Sequence, residues 1–314
     1  MRAAIYDHYG GPEQIRLTEL PDPTPRRGEV LLAVRACGVN LSDHEFLTGS
    51  PAYARFGGLL RPRQPILGSD IVGEVLTLGP GISHLQPGQR VMADAVTHRG
   101  GFAQRVALPA ALCAPVPDGL TDDIAAALPQ PGGIALQGMA GVQAGMRVLV
   151  NGAGGGSGTL ALQLAKAAGA HVTVVDTAAK IASLATLGAD ACIDHLAQDF
   201  TALGENWDLI LDMVATRPAG EIAGALAPGG IYRAVGGRVR VILPLAVRGL
   251  LQRGKTIGVL AVRTGAVVTR QVADRAVAGD LRPVIAGVLP LSGVAEALAK
   301  VGAGLVHGKL VIRP

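Results

Sequence analysis

A cluster of glycines and one following acid are the residues of this chain whose types and spacing point most directly to chemistry. Residues 148–158 read VLVNGAGGGSG, and Asp176 stands 18 residues after Gly158. The run leads straight into TLALQLAKAAGAHVTVVD, with Leu160, Leu164, Ala167 and Ala168 at helical spacing and then a β-branched run, Val172 to Val175. A flexible linker would continue polar and featureless instead. The order is strand, glycine turn, helix, strand, acid. Glycines at such a turn permit positive φ and let the backbone approach a diphosphate, while the helix N-terminus offers free N–H groups and a partial positive charge. Gly152, Gly155 and Gly158 space as GxxGxxG, a variant of the GxGxxG fingerprint, with Gly154, Gly156 and Ser157 between them. Alone, this loop is weak evidence, with a merely tight turn as the alternative; the elements around it favour dinucleotide binding. Asp176 is placed to accept hydrogen bonds from an adenosine ribose and to repel a ribose 2′-phosphate, which tips the expectation slightly towards NADH within NAD(P)H. Lys180, four residues on, either offsets that charge or is a solvated lysine at a helix start.

The elements that must position this loop follow from the texture of the chain. Residues 1 to 121 are rich in short β-type runs such as EVLLAVRAC and DIVGEVLTLG, punctuated by turn signals such as LGPGI and LQPGQR. From 122 the texture changes. DDIAAAL opens with two aspartates suited to a helix N-terminus, and strand and helix patterns then alternate. The strands RVLVNG, HVTVVD, ACID, LILDMV, IYRAVGG and TIGVLAV imply a doubly wound parallel sheet of Rossmann type over 122–263. After 264 come a helical pattern, TRQVADRAVAGD, a second, VLPLSGVAEALAKVGAG, and a terminal strand, KLVIRP. Six strands fill the parallel sheet without that last one, so 264–314 is expected to return to the strand-rich first domain.

Composition excludes several classes. The chain of 314 residues is 49% hydrophobic and 17% charged, a globular balance with room for two domains. A net charge of +4 with no dense Lys/Arg run gives no electrostatic footprint for nucleic acid, and 3% aromatics leave few stacking platforms for bases. No apolar stretch approaches the roughly 18–20 residues that span a bilayer, and MRAAIYDHYGGPEQ has no apolar signal core, so neither a membrane partner nor secretion is expected. Cys37, Cys113 and Cys192 are odd in number and far apart, which argues against disulfides and a structural zinc and for a reducing cytoplasm.

The motifs RVLVNGAGGGSG…LQLAKAAGA…LGADACID resemble the medium-chain dehydrogenase/reductase superfamily, in particular its zinc-independent quinone oxidoreductase-like branch. GGPE, LPDPTPRRGEVLLAVRACGVNLSD, PILGSDIVGEV, LGPGISHLQPGQRV and GGFAQRV extend the resemblance through the first domain, and LAPGGIYRAVGG, GDLRPVI, LPLSGVAEAL and GKLVI extend it to the end. The resemblance implies a GroES-like catalytic domain made of both chain ends (1–121 and 264–314), a central Rossmann cofactor domain, a substrate cleft between them and a homodimer joined near TIGVLAV. It implies that His195 lies towards the adenosine end of the coenzyme, and that Met213, Val235, Gly236 and Gly237 lie along its nicotinamide half.

In the zinc-dependent branch the metal ligands fall on the motifs that here read GVNLSD and GSDIVG. Asn40 and Ser69 stand where a cysteine and a histidine would be, and an amide and a hydroxyl are poor zinc ligands. The expectation is therefore no metal and no flavin, with direct hydride transfer from NAD(P)H to a quinone or an α,β-unsaturated carbonyl. An enolate oxygen developing in that reaction needs hydrogen-bond donors or a proton source. The candidates are Asn40, Tyr53 and His98, set against bland readings as a loop bridge, an apolar wall and a surface residue. Asp43 is expected to be a cap or hydrogen-bond anchor. Three departures stand out: His195 in place of a tyrosine, Ile134 in place of a cleft threonine, and Ala215 and Thr216 in place of glycines after LILDMV. They leave room for a dinucleotide-binding synthase or sensor without redox turnover; an alcohol dehydrogenase is the third reading.

Overall fold

The computed structural model describes residues 1–56, 58–237, 241, 243–245 and 254–314. They gather into two compact units: Met1–Gly133 with Arg263–Gly279 and Pro283–Pro314, and Ile134–Val262 with Asp280–Arg282. The cofactor domain expected over 122–263 includes residues outside those described.

In the first unit a short antiparallel pair, β1 (Arg2–Ile5) and β2 (Arg16–Glu19), lies beside a seven-stranded sheet. That sheet runs β14 (Ile285–Pro290), β15 (Lys309–Arg313), β3 (Glu29–Gly38), β4 (Asp70–Leu78), β5 (Arg90–Asp94), β7 (Ala114–Pro115), with β6 (Arg105–Pro109) also on β3. Its neighbours are antiparallel except β14 and β15. Along β3 the side chains of Val30, Leu32, Val34 and Ala36 turn inward at period two, as a half-buried strand requires. The terminal strand β15 returns to this unit, its Val311 and Ile312 paired with Gly38 and Cys37. Helices α1 (Leu41–Thr48) and α7 (Val294–Gly302) cover the core, the latter burying Val294, Ala297 and Leu298 on one stripe.

Helix α2 (Asp122–Ala126) belongs to this unit, although the change of texture at 122 suggested the other. Charge pairing explains it. Asp122 binds Arg90 at 2.6 Å and Asp123 binds Arg313 at 2.7 Å, both cations on strands of the first sheet. The chain leaves the unit within α3 (Pro129–Gly138).

The second unit holds a six-stranded, wholly parallel sheet in the order β10 (Ala191–Asp194), β9 (His171–Asp176), β8 (Arg147–Asn151), β11 (Trp207–Asp212), β12 (Leu226–Ala234), β13 (Thr256–Val259). These are the six strands read from the sequence, and the central ones are apolar runs buried on both faces: Val148, Leu149 and Val150 are fully buried. Helices α4 (Gly156–Ala167), α5 (Ala178–Thr186) and α6 (Ala219–Ala225) connect them. Chain order reverses between β8 and β11, so the crevice at the carboxyl ends of those two strands is where such a sheet takes a ligand.

Candidate functional site

At the carboxyl end of β8 the chain turns at Gly152, which has φ +80°, and its N–H and that of Ala153 bond to the Val175 carbonyl at 2.9 and 3.2 Å. The turn runs directly into α4, whose N-cap Gly155 has no side chain to cap it, and among the described residues no side chain accepts from the first-turn N–H groups of Gly156, Ser157 and Gly158. That leaves a helix N-terminus open to an anion. A Cβ on Gly158 would stand 2.5 Å from both Ala153 Cα and the Gly152 carbonyl, so only glycine lets helix and turn approach this closely.

Asp176 ends β9 almost buried, and its carboxylate accepts from Gly154 N–H at 2.7 Å and Thr177 N–H at 2.9 Å. Lys180 lies 3.4 Å from the same carboxylate. Its stem runs over the loop: a Cβ on Gly154 would meet Lys180 Cδ at 2.4 Å. The acid, lysine and loop are thus one assembly. His195 is exposed on the neighbouring strand end, its N–H bonded to the Asp176 carbonyl.

The nicotinamide-side candidates come together around a residue the sequence reading did not single out. Asp212, fully buried at the end of β11, accepts from Asn151 Nδ2, Val214 N–H and Ala215 N–H through Oδ1 and from Tyr232 Oη through Oδ2, all at 2.8–2.9 Å. Burial and the neighbouring Asp212 push the Tyr232 phenol well above its usual range. Met213 N–H bonds to the Asn151 carbonyl and Val235 N–H to the Asp212 carbonyl, tying three strand ends together, and Gly236 and Gly237 follow with φ +71° and +128°. Ala215 itself has φ +45°, which explains why a glycine would be natural there. The available signal was an acid closing an apolar strand, LILD.

In the first unit Asn40 caps α1, with Asp43 returning to accept the Asn40 N–H at 2.9 Å and the Gly68 N–H at 2.9 Å. Burial, opposed by these two N–H bonds, raises the Asp43 carboxyl to about 6. Both amide hydrogens of Asn40 are committed, to Ser69 Oγ at 3.2 Å and Asp70 Oδ2 at 2.9 Å, while its Oδ1 accepts from Lys309 Nζ at 2.6 Å. Lys309, reaching in from β15, also bonds to the Val39 carbonyl and pairs with Asp70 at 3.1 Å, with both side chains almost wholly buried. Asp94 stands opposite Asp70 on the adjacent strand, its carboxyl pushed up by burial and then by the Asp70 charge. Lys309 was legible only as a charge inside the apolar run GKLVI.

Among the described residues, the side chains of Tyr53 and His98 share no hydrogen bond with this cluster. The Tyr53 hydroxyl donates to Glu45 Oε2 at 2.8 Å, and burial, then the Glu45 charge, holds the phenol well above its ordinary value. Burial also raises the Glu45 carboxyl. His98 is exposed, with Nδ1 3.0 Å from Thr97 Oγ1. No direct hydrogen bond joins Asn40, Tyr53 and His98 among the described residues.

Comparison with known proteins fits this arrangement from end to end. Residues 26–118 match the alcohol dehydrogenase GroES-like domain family, and residues 187–312 match the zinc-binding dehydrogenase family. The chain is 28% identical to the chloroplast envelope quinone oxidoreductase homolog of Arabidopsis thaliana, over 100% of this chain and 98% of the relative. Its fold superposes on the quinone oxidoreductase of Coxiella burnetii with a TM-score of 0.91 and 27% identity, over 100% and 99% of the two chains. An acryloyl-coenzyme A reductase from Metallosphaera sedula is 28% identical over 94% of each chain.

Over its whole length the chain is similar to the medium-chain dehydrogenase/reductase superfamily.

The similarity is to its quinone oxidoreductase-like branch, and the chain has a GroES-like domain and a Rossmann-type sheet. The departures from the superfamily's pattern have local structural consequences. Ala215 holds a left-handed backbone that Asp212 braces from below, and Thr216 beside it is exposed. The zinc-branch ligand positions Asn40 and Ser69 are joined to each other and, through Asp70, to an internal ammonium.

Proposed function

We propose that this chain is an NAD(P)H-dependent reductase of quinones or α,β-unsaturated carbonyls, acting by direct hydride transfer without metal or flavin. The observation that carries the reading is the loop of Gly152 to Gly158 backed onto a helix N-terminus at the sheet's switch point, where helix and turn pack so closely that a Cβ at Gly158 would meet the turn backbone. The coenzyme, when bound, supplies the hydride. The loop N–H groups would hold its diphosphate, Asp176 and Lys180 the adenosine ribose, and Met213, Val235, Gly236 and Gly237 its nicotinamide half. Both Asp176 oxygens are already claimed, by the N–H groups of Gly154 in the loop and Thr177 at the start of α5, and Lys180 balances their charge, which supports acceptance of NADPH beside the NADH that the acid alone favours.

Zinc is the metal that the matched family's description implies, and the residues at the expected position do not fit it. Asn40 offers an amide whose hydrogens are committed, Ser69 a hydroxyl, and Asp70 a carboxylate already paired with the Lys309 ammonium. Cys37 nearby is wholly buried, and burial pushes its thiol well above the ordinary value, away from the thiolate a zinc ion requires. The Lys309 ammonium supplies the positive charge in this network.

Without a metal, the proton that completes reduction must come from a side chain or water. Tyr53 holds a proton at neutral pH, aimed at Glu45, and is the proposed donor; Asn40 is reassigned to positioning, because its donors brace Ser69 and Asp70. The test is loss of NADH or NADPH absorbance with panels of quinones and enones. Turnover is expected with at least one acceptor, and Tyr53→Phe should lower kcat roughly a hundredfold with the coenzyme Kd unchanged. Binding of coenzyme without turnover on any acceptor would overturn the reading, and an unchanged kcat in Tyr53→Phe would remove the tyrosine from it.

A further inference from the structure

The first unit carries an apolar projection that neither its core nor the reductase reading uses. Phe56 is 88% exposed, Leu59 75% and Leu60 84%. Single exposed leucines are ordinary, but three large side chains within five residues form a patch that calls for a partner. The base of the projection is built. Tyr9 Oη donates to the Gly58 carbonyl, Arg55 Nε donates to the Gly49 carbonyl at 3.0 Å with its guanidinium over the Tyr9 ring, and Arg99 Nε donates to Gln64 Oε1 at 2.8 Å. At its turn Gly58 lies against Arg61, where a Cβ would meet the Arg61 carbonyl at 2.1 Å.

Charge decides what covers the patch. The segment from Gly49 to Ser69 contains three arginines, Arg55, Arg61 and Arg63, and no acid. Arg61 and Arg63 are exposed beside the leucines, and neither pairs with an acid among the described residues. A second copy of the chain docked about a two-fold axis would set this positive segment against itself. An anionic lipid surface offers the complement of both features: acyl chains for the apolar tip and phosphates for the guanidinium forks, whose stems remain apolar. No described helix is long and apolar enough to cross a membrane; surface contact of this kind departs from the expectation of no membrane partner, which rested on the lack of a spanning stretch.

We propose that Phe56, Leu59 and Leu60 enter the headgroup region of an anionic bilayer while Arg61 and Arg63 bind its phosphates, docking the protein reversibly on a membrane surface. This stands apart from the reductase reading, since it is measured without coenzyme or acceptor.

The test is flotation of the purified full chain with vesicles of phosphatidylcholine alone or mixed with phosphatidylglycerol. Binding is expected to the mixed vesicles only and to disappear in high salt, because surface attraction is screened beyond a Debye length of about 3 Å at 1 M. Arg61→Gln with Arg63→Gln should weaken it by more than tenfold, at roughly fivefold per basic residue. Phe56→Ser with Leu59→Ser and Leu60→Ser should abolish it while thermal unfolding is unchanged. In Phe56→Trp, the new indole should be quenched by brominated lipids, independently of flotation. Absence of wild-type binding, binding that survives the triple substitution, or a triple variant that changes only the oligomeric state would each overturn the proposal, the last by assigning the patch to a second copy.

Discussion

Asp94 faces Asp70 across adjacent strands of the first sheet, with only the Val96 N–H as its own hydrogen-bond donor among the described residues. Lys309 on β15 is committed to Asp70, Asn40 and the Val39 carbonyl, and Asp43 on α1 adds a further carboxyl, so Asp94 ionises in a buried site that already holds excess negative charge. Its folded-state pKa is raised above the unfolded value. That contribution to stability is therefore complete below the unfolded pKa near 4 and is lost as pH rises through the folded pKa. Wild-type protein should lose stability between about pH 4 and pH 7 from this group, and Asp94→Asn should flatten that slope and gain roughly 1–3 kcal/mol at pH 8. Chemical denaturation at several pH values checks it; parallel slopes in the two proteins would contradict it. Lys180 belongs to the same scale. If its ammonium serves the adenosine ribose, Lys180→Ala should lower kcat/KM for NADPH more than for NADH, and equal losses would leave it only the partner of Asp176.

At the scale of elements, the glycine turn and the strand ends around Asp212 show how backbone approach makes a binding surface. Adding a side chain at Gly158 forces backbone against backbone, with both nearest atoms at 2.5 Å belonging to the turn. Overpacking of this kind typically costs about 1–3 kcal/mol. Gly158→Val should therefore weaken coenzyme binding roughly ten- to hundredfold in a fluorescence titration, with the far-ultraviolet circular dichroism retained. Unaltered affinity would mean that the loop is a tight turn and nothing more. On the opposite strand ends, Asp212 accepts four hydrogen bonds and carries the turn through Ala215 in a conformation that costs a non-glycine residue strain.

For the whole molecule, much of the architecture was legible in the sequence because it rests on local patterns. All six parallel strands, the glycine turn and the return of the terminal strand follow from apolar periodicity and turn residues. The placement of α2 was not, because the ion pairs of Asp122 and Asp123 with Arg90 and Arg313 join residues far apart in sequence. The same limit hid the buried assembly of Asn40, Ser69, Asp70 and Lys309: the two zinc-branch substitutions could be read, but the lysine that pairs with Asp70 enters from the chain's last strand. Tyr53 was visible as a candidate, whereas the Glu45 carboxylate that orients its proton was not. The central claim, hydride passed directly from a nicotinamide without metal or flavin, is tested by reduction of an enone with coenzyme deuterated at the transferred position, using chelator-treated protein. Undiminished turnover is expected, with deuterium on the β-carbon of the product. Activity lost with the metal and restored by zinc, or product carrying no deuterium, would contradict it.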